Sequence, residues 1–122
     1  MEIPCQPSKS LRALNPHLYP EPSARRGPEL EKVLHAQIER YCRARGWLVL
    51  HSRMDMPSTI PVGFPDFTIF MPGRRVVFLE CKRPGGKATT EQLAAIAKAK
   101  LFGFVAEIVD SLDAALAAIE TA

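Results

Sequence analysis

The sequence predicts a mixed α/β layer structure, a sheet covered by helices, in the element order α-β-β-β-α-β-α. Two observations carry this. Apolar residues between Glu29 and Arg45 recur at three- and four-residue intervals, the period of a helix. Four short apolar runs elsewhere are set off by turns rich in Pro and Gly, the pattern of strands.

The first helix, Glu29 to Arg45, would bury Leu30, Val33, Leu34, Ile38, Tyr41 and Cys42. Pro28 stands at its entrance and Gly46 just beyond its end, the usual asymmetry of helix termini. Trp47 to Ser52 (WLVLHS) is apolar and partly β-branched, hence a strand, and a loop containing Pro57 and Pro61 follows. Phe67 to Met71 and Val76 to Lys82 are two more strands, separated by the turn-forming Pro72-Gly73. Pro84 to Lys87 (PGGK) reads as a flexible loop. Thr89 with Gln92 fits a capping box and opens a helix through Leu93, Ile96, Ala97 and Lys100. Gly103 supplies its left-handed terminus. Phe104 to Val109 is a fourth strand, and Ser111 caps an alanine-rich helix running to about Glu120.

A chain of 122 residues allows one domain of ordinary size. With 47% hydrophobic and 24% charged residues, it has the composition of a packed domain rather than a disordered chain. No apolar run reaches the roughly 18 residues of a membrane span, and the N-terminus lacks the charged and apolar regions of a secretory signal. A cytoplasmic protein is therefore expected. Six of the eleven prolines fall within residues 1–28, which read as an extended, poorly ordered arm ahead of a domain spanning 29–122.

The net charge of +3 is a sum of opposing regions. Residues 40–100 carry eleven basic and four acidic side chains, a net +7, while residues 101–122 carry −4. A basic middle of this kind suits a polyanion partner, and equally suits a solvated surface whose charges segregate. Cys5, Cys42 and Cys81 lie far apart with no CxxC pair, so they read as free thiols in a reducing compartment. His17, His35 and His51 are similarly scattered and carry no metal assignment.

Three charged residues interrupt strands that would otherwise be apolar. Asp66 opens the second strand directly after Pro65; Glu80 and Lys82 end the third, two apart and therefore on one face. A tight turn at Pro72-Gly73 sets Asp66 opposite residue 79 and beside Glu80, whereas one further loop residue sets it directly across from Glu80. Either register brings two carboxylates together at one end of a hairpin, where they repel by about 1 kcal/mol unless a cation intervenes. Hard oxygen donors suit Mg²⁺ or Mn²⁺. Lys82, on the same face, could position a water or offset charge on a reacting phosphate. Taken singly, Pro-Asp reads as a turn and Glu-x-Lys as a solvated strand face. Together they make a phosphodiester hydrolysis site.

GFPD (Gly63 to Asp66) followed by FLECKRPGGKATTEQ (Phe78 to Gln92) resembles the PD-(D/E)XK nuclease superfamily, and more narrowly the VRR-NUC nucleases. The resemblance covers about residues 29–116. It implies a restriction-endonuclease-like αβββαβ core, a mixed four-stranded sheet flanked by helices, with an added C-terminal helix. It also implies that Asp66 and Glu80 ligate the metal with the backbone carbonyl of Cys81, and that Lys82 lies near the attacking water. The first-helix glutamate of the family maps to Glu31, with Glu29 competing for the role and an exposed helix position as the plainer reading. Gln92 matches a glutamine near the family's site, and also serves the capping box. Two departures stand out: His35 replaces a frequent glutamine, and Met54 to Val62 lacks the Gly and basic residues of many relatives.

The resemblance thus implies a Mg²⁺- or Mn²⁺-dependent DNA endonuclease, structure-selective for branched DNA such as a Holliday junction, acting as a homodimer. Arg83, Lys87, Lys98 and Lys100 would meet phosphates, as could Arg40, Arg43 and Arg45, for which the dipole at the helix C-terminus is a competing partner. A non-catalytic nucleic-acid-binding module that kept the fold is the rival reading.

Overall fold

In the computed structural model the described residues are 27–52 and 59–122. Helix α1 spans Gly27–Ala44, so it starts two residues before the expected boundary and takes Pro28 into its first turn. Leu34, Ile38 and Cys42 are buried on its inner face, with Leu30 and Tyr41 partly so. Val33, expected in the core, is instead 39% exposed, because it falls at the edge of that stripe. The helix ends in a Schellman motif: Trp47 N–H donates to the Cys42 carbonyl and Gly46 N–H to that of Arg43. Of the arm expected over residues 1–28, residues 1–26 lie outside the described residues, as do residues 53–58 of the loop after the first strand.

Strands β1 (Leu48–His51), β2 (Phe67–Met71) and β3 (Arg75–Cys81) form an antiparallel meander. Helix α2 (Thr90–Leu101) then crosses over to β4 (Val105–Val109), which lies parallel to β3. Helix α3 (Leu112–Thr121) completes the chain. The sheet order is β1-β2-β3-β4, a mixed four-stranded sheet with flanking helices, as the sequence predicts.

One core holds the layers together. Phe67, Ile69 and Met71 of β2 and Val77, Leu79 and Cys81 of β3 alternate onto the face covered by α1 and α3. Ala115, Ala118 and Ile119 of α3 join them, the two alanines allowing close approach. Arg75 extends the packing by donating to the Ile119 and Ala122 carbonyls at 3.0 and 2.9 Å, satisfying acceptors that a helix end leaves open. On the opposite face Phe78 makes edge-to-face contacts with Phe64 and Phe104, and Ile96 of α2 is buried. Both caps read from the sequence are present. Thr89 and Gln92 form the capping box of α2, and the Ser111 hydroxyl accepts from Ala114 N–H in α3.

The β2–β3 turn contains three residues, Pro72, Gly73 and Arg74, and Phe67 pairs with Leu79. The longer of the two candidate registers is therefore the one adopted, with Asp66 and Glu80 opposed at the open end. The extra residue is Arg74, held at φ 62°, a conformation uncommon outside glycine.

Gly63 positions the Pro65-Asp66 turn against α2. At φ +87°, a Cβ there would lie 2.6 Å from the backbone carbon of Glu91. Gly85 also has positive φ, at +79°, but open space around it. Gly63→Ala should therefore lower the unfolding free energy by more than about 2 kcal/mol and Gly85→Ala by only about 1–2 kcal/mol. Urea unfolding of the two variants checks this; equal losses would show that close approach to α2 is not the constraint.

Candidate functional site

The site is built where β2 begins and β3 ends. Asp66 backbone N–H donates to Glu80 Oε2 at 3.2 Å, and Cys81 N–H donates back to Asp66 Oδ2 at 2.9 Å. Each carboxylate thus satisfies a main-chain donor of the opposite strand. Ser52 N–H donates to the Asp66 carbonyl, and Lys82 N–H to that of Val109, tying in both outer strands. Lys82 Nζ stands 3.3 Å from Glu80 Oε1. The sequence expected Asp66, Glu80 and Lys82 to converge, and they do.

Glu80 is 2% exposed, an unusual place for a carboxylate. Burial pushes its pKa up to about 7, Asp66 adds to the rise, and Lys82 opposes it. Two acids in so small a volume favour either a shared proton or a bound cation. This donor set of oxygen atoms fits a hard divalent ion. Burial likewise holds the Cys81 thiol well above its ordinary range, with Asp66, Glu80 and Glu31 acting the same way.

Glu31 reaches the site from α1: its Oε1 accepts from Arg83 N–H at 3.3 Å. The side chain of Glu29 lies outside the described residues. Gln92 is engaged in the capping box, where its Oε1 accepts from Thr89 N–H at 2.9 Å.

The sequence reading missed His35. Its Nε2 lies 3.3 Å from Asp66 Oδ2, and its ring meets His51 and Phe67 edge to face. His51 in turn stacks on Phe67 at 4.3 Å. His35, Asp66 and Cys81 therefore come together, correcting the view that the histidines and cysteines are scattered. The signal available was its spacing, four residues after Glu31 and so on the same helix face.

The basic middle of the chain is not a single surface. Arg43 pairs with Glu39, Arg45 lies 3.4 Å over the Tyr41 ring, and Lys100 is 3.7 Å from Glu107. Lys98 Nζ lies 5.9 Å from the Phe102 ring. Arg83 and Lys87 are exposed just beyond Lys82.

A mixed four-stranded sheet with helices on both faces and an acid, acid and lysine cluster at the hairpin's open end define an α/β fold. More narrowly it is the VRR-NUC fold. A solved structure described as "VRR_NUC domain" matches with a TM-score of 0.60 at 23% identity, over 75% of this chain and 95% of that one. No family model matches the chain. A stretch of 51 residues, 42% of the chain, is 37% identical to "Putative nuclease p44" of Acyrthosiphon pisum secondary endosymbiont phage 1. That match spans 55% of the phage protein, about half of its length. The likeness of fold thus spans 75% of the chain. Among the described residues no helix is long and apolar enough to cross a membrane.

The raised pKa of Glu80 sets a pH dependence. Without metal, the unfolded chain loses this proton near 4.5 while the folded protein keeps it to about 7. The folded state binds more protons in that window, so stability falls as pH rises through it, by at most about 1.4 kcal/mol per unit. Chelator-treated protein should therefore melt at a higher temperature at pH 5.5 than at 7.5, and Glu80→Gln should flatten that slope. An unchanged slope in Glu80→Gln would assign the effect elsewhere.

Proposed function

We propose that this protein is a metal-dependent DNA endonuclease. The observation that carries the reading is the buried Glu80 carboxylate, held between the backbone of Asp66 and the Lys82 ammonium. A purely structural strand end would be more stable with apolar side chains at these positions. Both the VRR-NUC fold and the local identity to a phage protein named as a nuclease support it.

Asp66 and Glu80 would hold Mg²⁺ or Mn²⁺, with the Cys81 backbone carbonyl and Glu31 completing the protein's share of ligands. Such an ion, when bound, supplies Lewis acidity toward a phosphodiester oxygen and eases ionisation of water. Lys82, whose Nζ lies 3.3 Å from Glu80, would offset charge on the attacking water and the reacting phosphate. Asp66 is held in position by Cys81 N–H and His35. Gln92 is held in the capping box of α2, and a part for it near the site is what the family resemblance implies. Hydrolysis breaks one phosphorus–oxygen bond, leaving a phosphate monoester and a hydroxyl end.

Arg83 and Lys87 would take the phosphates nearest the site, with Lys98 and Lys100 further along α2. Such contacts give salt-dependent affinity and little sequence preference. Selectivity therefore has to come from DNA shape. A homodimer acting on branched DNA fits this, since two sites related by a twofold axis match a four-way junction.

A cleavage panel of four-way, flapped and linear DNA, with and without Mg²⁺ or Mn²⁺, tests the proposal. Cutting should require metal, favour branched substrates, and fall at least about 100-fold in Asp66→Ala, Glu80→Ala and Lys82→Ala. DNA binding without cleavage on every substrate would support the non-catalytic module instead. Light scattering of the free protein should give twice the monomer mass.

A further inference from the structure

His35 of α1, Asp66 ahead of β2 and Cys81 at the end of β3 offer an imidazole nitrogen, a carboxylate oxygen and a sulfur, all within 4.8 Å of one another. Nε2 and Oδ2 are 3.3 Å apart. Two ligands bound to zinc at about 2.0–2.1 Å with a tetrahedral angle are separated by about that same distance. A thiolate bound at about 2.3 Å would sit roughly 3.6 Å from each of them, so the set closes on an ion with shifts of about one ångström. The side chains of His35 and Asp66 are 22% and 16% exposed, which gives an ion a way in and leaves a position for water.

The donor chemistry separates this set from the one proposed for catalysis. Mg²⁺ takes oxygen ligands and keeps much of its water, whereas imidazole and thiolate are ligands that zinc accepts. A hydrogen bond from His35 to Asp66 would need no sulfur nearby.

We propose that His35, Asp66 and Cys81 form a second metal site of the zinc type, which competes with the Mg²⁺ site for Asp66. On coordination the Cys81 thiol releases its proton to solvent and forms a sulfur–metal bond, with no change in oxidation state. Metal binding here stands independently of the nuclease reading. Its consequence, inhibition by zinc, rests on that reading, because a zinc ion held by Asp66 Oδ2 would draw that carboxylate's charge away from the Mg²⁺ set.

Cobalt(II) is the probe, added to the full chain in the absence of reductant and chelator. The wild type should develop a saturable thiolate-to-cobalt charge-transfer absorption at one equivalent, displaced by Zn²⁺ and not by Mg²⁺. Cys81→Ser should lose that absorption. His35→Gln should bind cobalt at least about tenfold more weakly, since loss of even an outer partner of a metal ligand costs that much. No charge-transfer band in the wild type overturns the proposal, as does a band that persists in Cys81→Ser or an unchanged affinity in His35→Gln. Circular dichroism checks the fold of each variant, and if Cys81→Ser does not fold, the affinity of His35→Gln decides. In the Mg²⁺ cleavage assay, one equivalent of Zn²⁺ should slow the wild type at least tenfold, and His35→Gln less, each relative to its own zinc-free rate. A normal cobalt signal with no cleavage under any condition would overturn the nuclease reading and leave the metal site standing.

Discussion

Two reciprocal hydrogen bonds, Asp66 N–H to Glu80 and Cys81 N–H to Asp66, hold the molecule's chemistry in place. They continue the β2–β3 ladder past its last backbone pair, with side-chain carboxylates standing in for carbonyls. Bonds of this charge-assisted kind are stronger than neutral ones, which lets the sheet end on acids rather than on apolar residues. Because the same segment also bonds Ser52 of the first strand's end and Val109 of the last strand, all four strands meet at this point. The rest of the fold serves to brace it. The α1–α3 layer buries the odd-numbered residues of β2 and β3, and α2 fixes the Gly63 turn that delivers Asp66.

Electrostatically, the site balances two carboxylates against Lys82, with the His35 ring in hydrogen-bond reach of Asp66. The acids come from opposite strands and Lys82 from the same strand as Glu80, so no single local motif sets the balance. Charge elsewhere is largely used at home. Arg75 seals the end of α3, Arg45 packs on Tyr41 and Trp47, and Arg43 pairs along its own helix. Among the described residues, Arg83 and Lys87 are exposed just beyond Lys82, a smaller basic surface than the local excess of charge suggests.

Most of the architecture is legible in the chain because each element carries its own punctuation. Gly46 and Gly103 end helices, Thr89 and Ser111 start them, and Pro-Gly separates the central strands. What could not be read depends on tertiary contact. The hairpin register turned on whether Arg74 belongs to the turn, and arginine seldom takes the positive φ that it adopts there. Val33 obeys the helical period yet is 39% exposed, because it falls at the edge of the buried stripe. His35 has only its spacing from Glu31 to mark it in the sequence; its meaning comes from Asp66, thirty-one residues on, and from Cys81. Glu31 shows the reverse case, an apparently ordinary helix residue that reaches the end of β3.

The parallel pairing of β3 with β4 has a consequence for how the protein is made. The hairpin of β2 and β3 closes on contacts near in sequence and can form early, with Asp66 and Glu80 already facing each other. Its outer side cannot be completed until α2 has crossed over and residues to Val109 have left the ribosome, since Lys82 N–H takes the carbonyl of Val109. Non-local strand pairing of this kind is also the slower step of folding. The lysine is thus locked beside its carboxylates only at the end of assembly. A nascent chain carries the acids of the site well before it carries the finished site.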